Sequence, residues 1–186
     1  MARSGVTLLD CPINGTGAQA RNKDIAVYGS GGQAAFERSR PVLRGFARDH
    51  YYLGEFGNGS RMKYIANLLV HINNVASAEA LVLGMKAGLD PQMVYDVIKD
   101  GAGNSRIFEL RGPMMVAGEY EPATMKMDVW QKDVAVINDF ATELDCPTPL
   151  FSTSTDFYRA GMSQGLGAMD TAAVCKIMEQ FADYKR

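Results

Sequence analysis

The chain has 186 residues, 47% hydrophobic and 22% charged, a globular composition long enough to bury a core in one domain or a domain with an appendage. Nineteen Lys and Arg against 21 Asp and Glu leave a net charge of −2 with no basic cluster, which argues against nucleic acid or an anionic membrane as partner. No apolar run reaches membrane-span length, the N-terminus lacks a signal-peptide core, and Cys11, Cys146 and Cys175 stand far apart without a Cys-x-x-Cys, so reduced thiols in a cytoplasmic protein are expected.

In chain order, Val6 to Ile13 reads as a strand, followed by Asp24 to Ser30 and a short His50 to Leu53. Between the last two, Gly32 to Ala47 has a helical pattern broken by Pro41. Nothing strand-like follows. A few strands make a poor independent core, so this segment is expected to belong to a larger sheet. Gly57-Asn58-Gly59 then opens about thirty residues without proline, running to Gly88; as one helix they would span roughly 45 Å. Apolar residues (Met62, Ile65, Leu68, Leu69, Ile72, Val75) and small alanines cover most of its circumference, predicting burial by several neighbours. Further helices are predicted from Pro91 to Lys99, from Ser105 as cap to Val116, and from Asp128 to Asp145, where Pro147 and Pro149 end the pattern. Two more span Leu150 to Gly161 and Asp170 to Tyr184. Eleven methionines suit an adaptable helical core better than a metal site.

One line interrupts the apolar pattern of the long helix. Lys63, Asn67, His71 and Asn74 are spaced four, four and three and share a face. A lysine on a buried face has its charged form disfavoured by desolvation, which suits proton transfer near neutrality, and Asn67 one turn on offers both a donor and an acceptor. The bland alternative is a snorkelling lysine above a satisfied core amide. Asn14-Gly15-Thr16-Gly17, directly after the first strand, could present N–H groups to a carboxylate, or could be a turn needing positive φ. Gly29-Ser30-Gly31-Gly32 is not a GxGxxG and reads as a turn, so the chain contains no dinucleotide fingerprint. Lys132-Asp133 interrupts an apolar helical stretch and by itself reads as a solvated pair. Single histidines, His50 and His71, have no carboxylate or cysteine at metal-ligand spacing, so no metal is expected and His71 reads as a packed residue.

Taken in order, these stretches resemble the β-hydroxyacid dehydrogenase family (3-hydroxyisobutyrate dehydrogenase, tartronate semialdehyde reductase and relatives) and, more distantly, 6-phosphogluconate dehydrogenase. Asp10-Cys11-Pro12-Ile13-Asn14-Gly15-Thr16 stands where the family has its Asp-x-Pro-Val-Ser-Gly-Gly substrate loop. Gly57, Gly59, Lys63 and Asn67 match its Gly-x-Gly-x-x-x-Lys-x-x-x-Asn; Lys132-Asp133 matches a later Lys-Asp; Gly165, Gly167 and Asp170 match its closing Gly-x-Gly-x-x-Asp.

The resemblance implies Lys63 as general acid/base with Asn67 beside it, Asn14, Gly15 and Thr16 on the substrate carboxylate, and Lys132-Asp133 at the nicotinamide end of NAD or NADP. Asn14 for serine and Thr16 for glycine imply an altered carboxylate pocket and a different 2- or 3-hydroxy acid. The expected fold is mainly α: an all-helical 6-phosphogluconate dehydrogenase C-terminal-like domain over 57–186 with a long central helix. Ahead of it, 1–56 would be trailing strands left over from a Rossmann-type NAD(P)-binding domain. A truncated form, inactive alone for want of the dinucleotide loop and self-associating as a dimer or higher, follows from that reading. The alternative is a non-catalytic helical dimerisation or small-acid-binding module.

Overall fold

The computed structural model describes residues 5–186, which fall into two compact units, one ending at Ala66 and one running Asn67–Arg186. In the first, β1 (Leu9–Asp10) and β2 (Ile13–Asn14) pair antiparallel with β3 (Ala26–Gly31), while β4 (Asp49–Tyr52) pairs with β3 in parallel on its other side. A short helix, α1 (Gly17–Arg21), links β2 to β3, and α2 (Gln33–Phe46) forms the crossover from β3 to β4 that a parallel pair requires.

The predicted first strand is therefore two strands in one register, Leu9 opposite Gly31 and Asn14 opposite Ala26, interrupted at Cys11–Pro12, where proline lacks an N–H for the ladder. The predicted turn at Gly29–Gly32 is mostly strand. A Cβ on Gly29 would lie 2.0 Å from Cε2 of Phe36, so the glycine makes room for that ring. Pro41 does not break α2 either, because it and Glu37, whose carbonyl loses its helical partner, are exposed and water can satisfy the freed oxygen. Ile25, Val27, Phe36, Leu43 and Ala47 form a buried core with Leu9, Cys11 and Tyr52 against it.

A mainly α chain with a few leftover strands is thus the wrong class. The N-terminal segment is an α/β portion with a central strand, a β-α-β crossover and its own core, and a helical domain follows it.

Helix α3 (Asn58–Lys86) is unbroken over 29 residues. After it come α4 (Pro91–Lys99), α5 (Arg106–Ala117), α6 (Met127–Glu143), α7 (Pro149–Ser163), two 3₁₀ turns (Leu166–Ala168 and Thr171–Ala173) and α8 (Val174–Phe181). Local chemistry sets these boundaries. Asp90 accepts from Met93 N–H (2.9 Å) and Ser105 from Phe108 N–H (3.1 Å) as N-caps, Pro149 opens α7, and Gly118 closes α5 at φ +71. Val75, Leu81 and Met85 of α3 are buried, as are Trp130 of α6, Phe151 and Tyr158 of α7, and Ile177 of α8; each large side chain so buried contributes about 1.5–3 kcal/mol.

Two expectations about α3 need correction. Met62, Ile65, Leu69 and Leu83 are exposed, so its apolar surface is not covered all round. By length and composition it is also apolar enough to cross a membrane, contrary to the sequence reading, yet half of that window is buried within the protein, with Asn67, His71 and Asn74 among its buried residues.

Candidate active site

The start of α3 is bolted to the sheet of the first unit. Four N–H groups at a helix start have no helical partner. Two of these are met from the strands: Gly59 N–H donates to Ser30 Oγ (3.0 Å) and Ser60 N–H to Asp10 Oδ2 (2.8 Å). The hydroxyls of Ser60 (2.8 Å, to Oδ1) and Ser30 (3.0 Å, to Oδ2) also donate to Asp10. Burial alone would raise the Asp10 carboxyl, but the Ser60 and Ser30 donors outweigh it and hold it below the usual carboxylate range. Gly59 is required by distance, since a Cβ there would meet Tyr28 O at 2.3 Å and Asp10 O at 2.9 Å; Gly57 is required by its φ of +98. One turn beyond Ser60, Lys63 Nζ donates to the backbone carbonyl of Ile13. Lys63 is half-buried rather than buried, so desolvation acts on it less than the helix pattern predicted.

The Asn14–Thr16 loop leaves β2 beside that carbonyl. Asn14 Nδ2 donates to Tyr28 Oη (2.7 Å). Gly15 has φ +133, and a Cβ there would come within 2.6 Å of Ile25 Cγ2. Thr16 caps α1 in a reciprocal box, its N–H donating to Gln19 Oε1 (3.0 Å) and its hydroxyl accepting from Gln19 N–H (3.4 Å). Lys63 and the loop are thus brought together within the first unit.

In the second unit, Asn67 is buried and its Nδ2 donates to Asp133 Oδ1 (3.2 Å), while the adjoining Lys132 is exposed on α6. The Lys-Asp pair is therefore not simply a solvated one. The remaining two stripe residues are scaffolding. His71 is fully buried between Trp130, Phe151 and Tyr158, stacked on the tyrosine with ring centroids 4.1 Å apart. Trp130 Nε1 can only donate and lies 2.9 Å from His71 Nδ1, so the proton is on Nε2, facing Thr155 Oγ1 at 3.2 Å. Burial lowers the His71 pKa to about 3, keeping the ring neutral. Asn74 Nδ2 donates to Tyr158 Oη (2.9 Å) and Thr171 O (2.8 Å).

Asp170 of the closing motif is likewise structural. It is fully buried, is paired with Arg111, and accepts from Thr124 N–H and Oγ1 (2.8 Å each), Met125 N–H (3.1 Å) and Ala172 N–H (3.0 Å). Burial opposes its ionisation, but Arg111 and these donors hold the carboxyl below its usual range. Sequence reasoning gave no role to Asp10, Ser30 or Tyr28. The motif holding Asp10 was visible, but its partner Ser60 lies fifty residues on. Among the described residues no group of three His, Cys, Asp or Glu is placed to hold a metal.

As to a dinucleotide, the Phe36 ring packs against Gly29 within the Gly29–Gly32 stretch, which carries no GxGxxG.

An α/β portion leading into a helical domain, with a lysine beside a strand-end loop, defines a Rossmann-type dehydrogenase architecture. Residues 57–178 match the family model described as NAD-binding of NADP-dependent 3-hydroxyisobutyrate dehydrogenase, and residues 1–54 match the NAD binding domain of 6-phosphogluconate dehydrogenase. The chain belongs to the 3-hydroxyisobutyrate dehydrogenase-like β-hydroxyacid dehydrogenase family, whose cofactor is NAD(P). The match over 1–54 completes the correction of fold class: that segment is Rossmann domain.

The chain is 38% identical to the L-threonate dehydrogenase of Escherichia coli K12 over 178 residues, 95% of this chain and 59% of that one. Against the 2-(hydroxymethyl)glutarate dehydrogenase of Eubacterium barkeri it is 33% identical, over 96% of this chain and 60% of that one. A crystal structure of 3-hydroxyisobutyrate dehydrogenase from Salmonella typhimurium superimposes with a TM-score of 0.85 at 35% identity, covering 95% of this chain and 62% of that one. The chain therefore spans about three fifths of the length of the relatives it matches.

Proposed function

We propose that this chain carries the substrate-handling and proton-transfer half of an NAD(P)-dependent dehydrogenase acting on the CH–OH group of a small 2- or 3-hydroxy acid, or on the corresponding semialdehyde. The observation that carries the reading is the Lys63 amine held at the Ile13 carbonyl, at the mouth of the Asn14–Thr16 loop. In reduction, Lys63 donates its proton to the carbonyl oxygen; in oxidation, its amine takes the hydroxyl proton. The nicotinamide, when bound, supplies or accepts the hydride. Asn14 holds the substrate carboxylate with the second N–H of its amide, Tyr28 taking the first, and Gly15 and Thr16 shape that pocket. Asn67, its amide oriented by Asp133, steadies the reacting oxygen, and Lys132 with Asp133 meets the nicotinamide end.

The names of relatives, L-threonate and 2-(hydroxymethyl)glutarate dehydrogenase among them, support a hydroxy acid with further polar substituents. With no GxGxxG in its sequence, the 186-residue chain by itself turns over at most in trace. The functional boundary lies near Gly57, with 1–56 as the Rossmann portion and 57–186 as the catalytic and oligomerisation domain.

Amide NMR of the chain titrated with a panel of 2- and 3-hydroxy acids tests this. One acid is expected to shift Asn14, Gly15, Lys63 and Asn67, and Asn14→Ala to abolish the response. A panel with no effect refutes the substrate-half reading. Ready steady-state turnover with NAD or NADP refutes the inactivity of the isolated chain.

Self-association follows from α3. Exposed Met62, Ile65, Leu69 and Leu83 are spaced three, four and fourteen, a heptad stripe suited to a partner helix, so the chain is a dimer or higher. A monodisperse monomer in sedimentation velocity contradicts that. The same stripe favours the second reading, a non-catalytic dimerisation module. Under it, the chain self-associates and no hydroxy acid in the panel shifts Lys63.

A further inference from the structure

Two contacts tie α3 to β1 and β2, and they have the same spacing on both partners. Asp10 holds Ser60, and three residues along each segment Ile13 holds Lys63. From Asp10 to Ile13 the chain leaves β1, crosses Cys11–Pro12 and enters β2, reaching at most about 10 Å, while three helical residues rise about 4.5 Å, so the long lysine side chain bridges a gap that the short serine does not have to cross. The second contact is a hydrogen bond made by a long, flexible side chain. It holds only if the first fixes the rotation of the helix and its height above the strand.

The first contact is built to do so. Asp10 accepts the backbone N–H and the hydroxyl of Ser60 on different oxygens, which sets direction as well as distance. Ser30 joins the carboxylate to the neighbouring Gly59 N–H, and the missing Cβ of Gly59 lets the helix lie directly on Tyr28 O. A helix cap needs only one such acceptor.

We propose that Asp10 is the positioning residue for Lys63: through Ser60 and Ser30 it fixes the first turn of α3 so that the lysine amine rests on the Ile13 carbonyl beside the substrate loop. This rests on the reading of Lys63 as the proton-transfer group, but its test does not require turnover.

Lysines of the intact 186-residue chain are labelled competitively by trace reductive methylation and quantified one by one. An amine engaged with a backbone carbonyl must leave that contact before it can attack the reagent, so its labelling is slowed. In Asp10→Asn, Lys63 should react roughly tenfold faster relative to Lys23 and Lys99, which are the reference for any general loosening. Ser30→Ala, which keeps the carboxylate, should raise it by about threefold, and amide exchange at Ser60 should accelerate in both. Should Asp10→Asn fail to fold, Ser30→Ala decides the matter alone.

A folded variant in which Lys63 keeps its wild-type relative rate overturns the proposal. So does a rise shared equally by Lys23, since that is loss of stability and not of position. Failure of the proposed function is seen separately: a wild-type chain in which no hydroxy acid shifts Lys63 or the Asn14–Thr16 loop removes the substrate-handling reading and leaves the placement of Lys63 by Asp10 as measured.

Discussion

Replacing Asp170 with Asn isolates the largest polar commitment in the helical unit. The carboxylate is fully buried and serves Arg111, three backbone N–H groups (Thr124, Met125, Ala172) and the Thr124 hydroxyl, joining α5, the segment before α6 and the turn before α8. Asparagine keeps one acceptor oxygen and sets an NH₂ against donors on the other side, while the Arg111 charge stays buried without a counter-ion. Breaking a buried pair on one side costs about 3–5 kcal/mol, and for a protein this size that lowers the melting temperature by roughly 10 °C or more. Arg111→Met should cost less, about 1–3 kcal/mol, because Asp170 retains its backbone donors.

The pH dependence carries a sign. The folded pKa of Asp170 lies below 3.8, so its contribution is present above that value and disappears as pH falls through the folded pKa. Urea unfolding at pH 7 and at pH 3 should show the penalty of Asp170→Asn shrinking at the lower value. A cost under about 1 kcal/mol at pH 7, or Arg111→Met proving worse than Asp170→Asn, refutes the reasoning.

Gly59→Ala should destabilise the first unit by several kcal/mol, since the methyl carbon meets two backbone oxygens that cannot give; a loss below about 1 kcal/mol in urea would contradict the close approach. His71, neutral when folded with a pKa of about 3 against 6.5 unfolded, makes stability rise with pH across that window by as much as about 5 kcal/mol. His71→Leu should flatten this slope while orphaning the Trp130 N–H, and a slope unchanged in the variant would rule it out. Among the thiols, exposed Cys146 should react first with a disulfide reagent, and buried Cys175, pushed up to about 11 by desolvation, only on unfolding. Equal native rates for the two would refute that.

What could be read in the sequence was local. The unbroken run from Gly57, the helix start at Pro91, the cap at Ser105 and the proline stop before α7 each rest on neighbours a few residues apart, and the structure has them. The family motifs were legible for the same reason, as short spacings. What was missed depends on distant partners. Gly29 looked like a turn because Phe36 has to be packed on it before the glycine makes sense as strand. Pro12 divided one strand into two only because both pieces share β3. His71 was read as packed and is, but the stripe could not show that His71 and Asn74 are held by Trp130, Tyr158 and Thr171, 59 to 97 residues away. The mainly α class failed likewise: short strands look like remnants until the crossover helix and core between them are seen.

Trp130 is the only tryptophan in the chain, and its indole nitrogen is hydrogen-bonded to the neutral His71 ring inside the helical unit. Its fluorescence is therefore an intrinsic probe of that unit. Because protonating His71 removes the acceptor on Nδ1, the emission also becomes an optical pH indicator of the protein interior, silent until acid reaches the core. Tyrosine absorbance, by contrast, reports both units, with Tyr28, Tyr51, Tyr52 and Tyr64 in the first and Tyr95, Tyr120, Tyr158 and Tyr184 in the second.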